Sequence, residues 1–429
     1  MNQSKQTFIT AFALFSLFFG AGNLILPPFL GYNAGVEWFW VTIGFAISGV
    51  VIPILAIYGH ARLQGTMLDF AKKVSPWFAF LYSIIVYAIS IALPSSRTAS
   101  VTYEMAIQPY FEISSLLLST LYFVVVLIFV LNRSVILSVI GKFLTPLIIV
   151  LLLAIICIGL FTETEPLRES IFDHPLSAGI LEGYQTFDAI GGILVGGVII
   201  ISYSLQGNFN YETKKKMIGK AGLLAGLGLF VIYGGLIALG AYNSGVLDID
   251  NRTELLTVLS ANTLGNMGTV FLAVLVALAC FTTAVGIVTG TADFVKGLFG
   301  NSKTAYILTA ILGCLLGIVI GQFDVHYIID IALPALMFIY PITIVLILLN
   351  VVPNRFASKL VFKAVVAVTF LFSIPDFLGF IVAEERLLWI KNSIPLANEN
   401  MGWALPAVAV FVMANLFEEF LLPKQDMSI

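Results

Sequence analysis

Charged residues are scarce in this chain of 429 residues. Aspartate, glutamate, lysine and arginine make up 10% of the sequence, hydrophobic residues make up 59%, and the mean hydropathy is +1.03. Because a soluble domain has about 25% charged residues, this composition excludes an ordinary soluble globular protein. No loop is long enough to form a soluble domain either. The sequence therefore predicts an integral membrane protein whose function lies among its spans.

Cysteine and histidine are also rare, with three residues of each. The cysteines lie in separate apolar segments without ligand spacing, so we expect them to pack as small hydrophobic residues: Cys157, Cys280 and Cys314. The histidines fall in loops or near the outer end of a span and do not converge: His60, His174 and His326. The sequence predicts neither a metalloenzyme nor a bound cofactor.

Sequence motifs for catalysis are missing as well. The chain has no Gly-x-x-x-x-Gly-Lys-Ser/Thr loop, no His/Glu metal spacing and no Gly-x-Ser-x-Gly nucleophile arrangement. ATP hydrolysis and an intramembrane enzyme are therefore disfavoured. A channel would more often show a repeated filter or a charged ring. The expected partners are a small-molecule substrate and the lipid bilayer, with no nucleic acid and no obligatory protein partner.

Long apolar segments, in contrast, are abundant. A helix needs about 20 apolar residues to cross a bilayer, and we predict an all-α membrane fold of twelve spans. Their approximate ranges are 8–34, 36–58, 77–107, 113–131, 134–161, 179–210, 217–242, 268–295, 303–322, 324–351, 359–381 and 402–422. The first span lacks a small-residue cleavage site, so we expect it to stay in the membrane rather than to be removed as a signal peptide.

Basic residues are distributed unevenly between the predicted loops. If the N-terminus is cytoplasmic and the spans alternate, sixteen lysines and arginines fall on the cytoplasmic side. Four fall outside, Arg168, Arg252, Arg386 and Lys391, whereas Arg97 lies within the third span. The positive-inside rule then predicts a multi-pass protein of the inner (cytoplasmic) membrane with both termini in the cytoplasm.

Two of the apolar segments are interrupted by glycine and polar residues. They read FFGAGNLILPPF at 18–29 and GYQTFDAIGGILVGG at 183–197. Paired interrupted helices indicate a transporter built from inverted repeats. We predict a five-plus-five arrangement with repeat one at about 8–161, repeat two at about 179–351 and two extra helices at about 359–422. Five helices per repeat invert the second copy, so the breaks in helices 1 and 6 would meet near the bilayer midplane.

A break in a spanning helix can form a binding site. The N-terminus of one half-helix can receive an anion, and exposed carbonyls can bind a cation. Pro27 and Pro28 would suit the start of the second half-helix. The alternative is that Gly-x-Gly marks a close-packing surface and that the prolines only form a kink.

The predicted loop at 243–267 alternates apolar and polar positions. It is consistent with an interfacial helix that lies over the outer face as a lid, and equally with a plain surface loop.

Four stretches together resemble the bacterial branched-chain amino acid:cation symporter family. They are FSLFFGAGNLILPPFLG in the first span, LPSSRTASVTYE in the third, GYQTFDAIGG in the sixth and ACFTTAVGIVTG in the eighth. That family is similar to the LeuT-like inverted-repeat transporters and transports leucine, isoleucine and valine. The resemblance implies a LeuT-like fold with broken helices 1 and 6.

The resemblance also implies a substrate site at the two breaks. Backbone amides of the first break would hold the carboxylate, carbonyls of the sixth span would face the ammonium, and apolar side chains would surround the alkyl group. The implied substrate-binding residues are Phe18, Gly20, Ala21, Gly22, Asn23, Phe187, Asp188 and Ile190. Asn23 has no convincing partner that would indicate a second ion.

A sodium site is implied at the eighth span. In the LeuT-like pattern a hydroxyl pair joins three carbonyls, which here gives Thr282, Thr283, Ser16, Phe19 and Ala279. Oxygen ligands suit a hard cation such as Na⁺. The alternative is that the threonines bond only to their own helix.

Ionisable residues inside spans are costly and indicate function. Arg97 and Glu104 lie two turns apart in the third span, so we expect them to line one wall of the pathway. Asp188 could meet the ammonium, Arg97 or a transported proton, and Asp330 could belong to an outer gate. The alternative is a buried salt bridge between Arg97 and Asp188 or Glu104.

The chain departs from the neurotransmitter-type LeuT-like pattern, because no arginine follows the first break. Arg97 is a candidate to replace it at an outer gate. We predict a symporter that imports branched-chain amino acids with a cation gradient, with Na⁺ favoured. The alternative is a proton-coupled carrier of the same or other small neutral amino acids, with the proton on Asp188 or Glu104.

Overall fold

The computed structural model describes residues 3–132, 136–161, 166–194, 196, 211–245 and 249–421. All regular secondary structure in these ranges is helical. The α-helices are α1 (Gln3–Phe18), α2 (Ala21–Ala34), α3 (Trp38–Ala46), α4 (Ile52–Leu63), α5 (Met67–Ala71), α6 (Pro76–Ala92), α7 (Pro94–Thr102), α8 (Ser115–Asn132), α9 (Ile136–Leu160), α10 (Pro175–Tyr184), α11 (188–194), α12 (Tyr211–Tyr242), α13 (Arg252–Leu298), α14 (Lys303–Gly321), α15 (Val325–Val351), α16 (Lys359–Leu378), α17 (Glu384–Ser393) and α18 (Ala404–Leu421).

The described helices include eight stretches that are long and apolar enough to cross a membrane. Two predicted spans are not continuous α-helices. The second contains a π-helical turn at Ile47–Val51, and the third is interrupted at Leu93, between α6 and α7, before a π-helical turn at Tyr103–Ile107. The count of twelve stays a prediction, since most of the second half of the sixth span, including Gly197, lies outside the described residues.

Helix α2 packs closely against α12 through glycine. A Cβ atom on Gly31 would collide with the carbonyl of Ile237, and a Cβ atom on Gly240 would collide with the carbonyl of Pro28. The two backbones therefore touch, and only glycine fits at these positions. Tyr233 lies two helical turns before Gly240 on the same face of α12, so this contact brings its ring to the start of α2.

Helix α13 is divided by Gly265, whose φ is 69° and ψ is −177°. The part before this kink begins at Arg252 and covers most of the predicted 243–267 loop. Residues 252–264 are therefore helical rather than a plain loop, and their position at the outer membrane interface stays a prediction. The part after the kink contains Thr282 and Thr283.

Two expectations from sequence are wrong. His60 does not lie in a loop, because α4 continues to Leu63 and buries the ring completely; Nε2 lies 2.8 Å from the Ile193 carbonyl oxygen. The proline pair does not start the second half-helix, because α2 already begins at Ala21. The packing expectation holds for Cys280 and Cys314, which are buried, whereas Cys157 is exposed on the helix surface.

Candidate functional site: a cavity between two helix breaks

The first break separates α1 from α2. Helix α1 ends at Phe18, and Gly20 has extended backbone with φ −107° and ψ −174°. The Gly20 N–H donates to the carbonyl of Phe18 at 3.0 Å, and the Asn23 N–H donates to the carbonyl of Gly20 at 3.2 Å. Because the first N–H groups of a helix have no partner one turn earlier, the start of α2 is an electropositive end within the bundle.

The second break separates α10 from α11 and is built differently. Phe187 has a positive φ of 61°, a left-handed conformation that a bulky residue rarely adopts. Side chains then cap α11. The Thr186 hydroxyl accepts from the Asp188 N–H at 3.2 Å, and the Tyr340 hydroxyl accepts from the Ala189 N–H at 3.1 Å. These contacts hold the strained backbone in place.

The structure brings the two breaks together. Asn23 Nδ2 donates to Asp188 Oδ2 at 2.5 Å and also to the Tyr233 hydroxyl. The Tyr233 hydroxyl in turn lies 3.4 Å from Asp188 Oδ2. All three side chains are at least 95% buried, so this network joins the two broken helices to α12. Tyr233 could not be recognised from the sequence, because it looks like any aromatic residue in an apolar helix.

A cavity of about 900 Å³ lies beside this network. It is lined by most of the residues that the sequence singled out: Ser16, Phe18, Gly20, Gly22, Asn23, Arg97, Phe187, Asp188, Ile190, Thr282 and Thr283. The side chains of Phe18, Phe187 and Ile190 supply an apolar wall. Ala21 opens α2. Phe19 and Ala279 are buried beside the cavity, where Phe19 stacks on Phe15 with ring centroids 5.2 Å apart.

Arg97 lies against the first break. A Cβ atom on Gly22 would collide with a terminal guanidinium nitrogen of Arg97 and would stand 2.8 Å from its Cζ. The guanidinium also lies over the ring of Phe187, with Cζ 5.6 Å from the centroid. Arg97 therefore contacts both breaks from the third span.

The threonine pair faces the first break from α13. A Cβ atom on Gly20 would lie 3.5 Å from Thr283 Oγ1. The hydroxyls of Thr282 and Thr283 both donate to the Ala279 carbonyl, at 2.9 and 3.0 Å. Their protons are thus used within the helix, as the packing alternative expects, but the oxygen lone pairs can still face the cavity.

The remaining predicted gating residues lie away from the cavity. Glu104 Oε2 accepts from the Thr253 hydroxyl at 2.6 Å, and Oε1 accepts from the Val325 N–H at 2.8 Å. Arg97 lines the cavity whereas Glu104 contacts the start of α13, and their expected place on one wall of the pathway stays a prediction. Asp330 is exposed, with its Oδ2 3.6 Å from His326 Nε2. The structure does not bring Asp330 to Arg97, Glu104 or the breaks.

Sequence comparison identifies the family. The family described as Branched-chain amino acid transport protein matches this chain over residues 3–421. The chain belongs to this family. A relative from Pseudomonas aeruginosa, named as a branched-chain amino acid transport system 2 carrier protein, is 32% identical, covering 96% of this chain and 95% of the relative. The Bacillus subtilis branched-chain amino acid permease BraB is 30% identical, covering 99% and 98%.

These relatives are named as carriers and permeases, so the prediction of a transporter rather than an enzyme is confirmed. Family membership also confirms the predicted class of multi-pass membrane protein. Among the residues that the structure describes, no group of three histidine, cysteine, aspartate or glutamate side chains could hold a metal ion.

Solved structures confirm the LeuT-like fold for this family member. The inward-facing conformation of Mhp1 superposes with a TM-score of 0.62 at 11% identity, covering 96% of this chain and 90% of Mhp1. MhsT in complex with L-phenylalanine superposes with a TM-score of 0.54 at 17% identity, covering 94% and 98%. At such low identity the likeness shows the fold alone.

Proposed function

We propose that this chain is a secondary active symporter that imports branched-chain amino acids across the cell membrane with a sodium gradient. The observation that supports it best is the meeting of two helix breaks beside a cavity of about 900 Å³ with an apolar wall. The names of the Pseudomonas and Bacillus relatives supply the substrate class. Transport would proceed by alternating access to this cavity.

Sodium is favoured by the position of Thr283. Its hydroxyl oxygen faces Gly20, where the first span is extended rather than helical, and the last carbonyls of a helix such as α1 have no partner one turn later. Neutral oxygen atoms from a hydroxyl and from carbonyls are suitable ligands for a hard cation. The proposed Na⁺ ligands are the hydroxyls of Thr282 and Thr283 with the carbonyls of Ser16, Phe19 and Ala279.

The test is uptake of labelled isoleucine by purified protein in proteoliposomes, with sodium and proton gradients imposed separately. Accumulation should follow the sodium gradient, and Thr283→Val should flatten its sodium dependence. Thr291→Val is the matched control, because Thr291 lines the same cavity and donates to the Ile287 carbonyl at 2.9 Å but lies two turns further along α13. Equal sodium dependence in all three proteins would contradict the proposed ion site.

Proton coupling is the second candidate, and Asp188 favours it. Its carboxylate lines the cavity and is 95% buried, with neutral partners in Asn23 and Tyr233. In proteoliposomes, proton coupling predicts accumulation with a proton gradient alone and its loss in Asp188→Asn. Accumulation with sodium alone would reject this candidate.

A further inference from the structure

The function proposed above gives no role to the guanidinium of Arg97. The residue is 3% exposed, and its Nε is buried without a hydrogen-bond partner. The guanidinium forms no ion pair and no hydrogen bond with any side chain or carbonyl in the described part of the chain. A buried cation without a partner is strongly unfavourable. Its position at the wall of a cavity suggests that a bound anion supplies the partner.

Asp188 is not the anionic partner of Arg97 in this structure. Its Oδ2 accepts from Asn23 and lies within reach of the Tyr233 hydroxyl, and no carboxylate oxygen of the described residues lies within 4.0 Å of Arg97. The ring of Phe187 covers one face of the guanidinium. A ring below the plane leaves the N–H groups in the plane available for an anion.

The Arg97 guanidinium lies next to the N-terminus of α2, and both groups attract anions. Arg97 lies against Gly22, in the first turn of α2, where a Cβ atom would stand 2.8 Å from its Cζ. The N-terminus of a helix attracts anions through its N–H groups and its dipole. A guanidinium adds a planar fork of donors that matches the two oxygens of a carboxylate.

The residue after Gly22 leads to a carboxylate that could face the ammonium group of an amino acid. Asn23 follows Gly22 and contacts Asp188, so the cationic Arg97 and the anionic Asp188 approach adjacent residues of α2. A single carbon separates the carboxylate from the ammonium in an α-amino acid, so Arg97 and Asp188 are suited by charge to its two ends.

We infer that Arg97 binds the carboxylate of the transported amino acid, together with the first-turn N–H groups of α2. This role rests on the proposed function and differs from the gating role expected from sequence. Arg97 would then select substrates that have a free carboxylate, whereas the apolar wall would select the alkyl group.

The experiment compares affinity for L-leucine with affinity for L-leucinamide, which has the same side chain and ammonium group but a neutral amide. Dissociation constants are measured by calorimetry on the purified protein in sodium-containing buffer. The wild type should prefer leucine. Arg97→Gln should weaken leucine binding about 10- to 100-fold, the range for a lost hydrogen bond to a charged group, while leucinamide affinity changes little. Arg97→Lys should retain part of the preference, since it keeps the charge without the fork.

Ser90→Ala is the matched control. Ser90 lines the same cavity from the third span, but its hydroxyl is used within α6, where it donates to the Val86 carbonyl at 2.7 Å. This variant should keep the wild-type ratio of the two affinities. The inference is supported if the preference for leucine over leucinamide is lost in Arg97→Gln and kept in Ser90→Ala.

Three results would overturn it. Equal losses for both ligands in Arg97→Gln and Arg97→Lys would give Arg97 a structural role only. Unchanged leucine affinity in Arg97→Gln would place the carboxylate elsewhere. Failure of the wild type to bind leucine, isoleucine or valine would reject the proposed function itself. This outcome is measured on the wild-type protein alone, so it is distinguishable from the two results above.

Discussion

The two ends of the central cavity differ in how they meet the surface. At one end the cavity reaches exposed positions, including Thr66 and Gly297, and its wall on α13 includes Gly286 and Gly290. At the other end lies the first part of α13, where Glu104 accepts from Thr253. We call the first the open end and the second the closed end.

Charged contacts are found at the second end. Arg252 forms an ion pair with Glu182, just before the second break, and its guanidinium lies over the ring of Phe29 with Cζ 5.0 Å from the centroid. Neither Arg252 nor Glu182 lines the cavity. We infer that the open end only has to leave room for the substrate to pass. The closed end is held shut by a few contacts that can break. If the predicted topology holds, the open end faces the cytoplasm.

The largest effect is expected from filling the open end. A Cβ atom on Gly290 would meet no heavy atom within 4 Å, so Gly290→Trp can project its ring into the cavity without a clash. Isoleucine uptake in proteoliposomes should fall to background because the route is blocked, although the protein still folds. Gly290→Ala is the control and should transport normally, with a helix that is slightly more stable. Normal uptake by the tryptophan variant would show that substrate does not pass this end.

The sequence predicted the broken helices well, for a physical reason. Glycine and a polar side chain inside an apolar span are costly unless they face a ligand or a partner, so both breaks are visible without any structure. Asn23 and Asp188 were found in this way. Residues that are unusual for their surroundings can be recognised from sequence alone.

The partners of those residues could not be predicted. Tyr233 is ordinary for an apolar helix, and only the glycine contact between α2 and α12 brings it to Asn23. The same holds for Arg252, which looked like a loop residue but pairs with Glu182. Such contacts depend on how helices distant in sequence pack against each other. The residue pattern of a single helix does not show this packing.

A medium effect is expected from breaking the closed end. Arg252→Gln leaves Glu182 without its ion pair, and losing a charged hydrogen bond costs about 1.5 to 3 kcal/mol. The equilibrium should therefore shift roughly tenfold or more towards opening of this end. A cysteine at Thr98, which lines the cavity, reports the shift through its reaction rate with an impermeant thiol reagent added on the closed side of oriented vesicles.

That measurement needs a background without the native cysteines at 157, 280 and 314. Arg386→Gln is the control, because Arg386 is an exposed residue of α17 and its loss should leave the rate unchanged. If Arg252→Gln and Arg386→Gln react at the same rate, the ion pair does not hold this end shut.

The smallest effect is expected from Glu104→Gln. An amide oxygen can still accept from the Val325 N–H, and the amide nitrogen can donate to the Thr253 hydroxyl, so both contacts survive without the charge. Glu104→Ala removes both and leaves the Val325 N–H at the start of α15 without its partner, at a cost of about 1 to 3 kcal/mol. In the same thiol assay, the alanine variant should therefore open clearly more than the glutamine variant, which should stay close to the unmodified protein. If both variants open equally and more than the unmodified protein, the negative charge of Glu104, rather than its two acceptor oxygens, keeps this end closed.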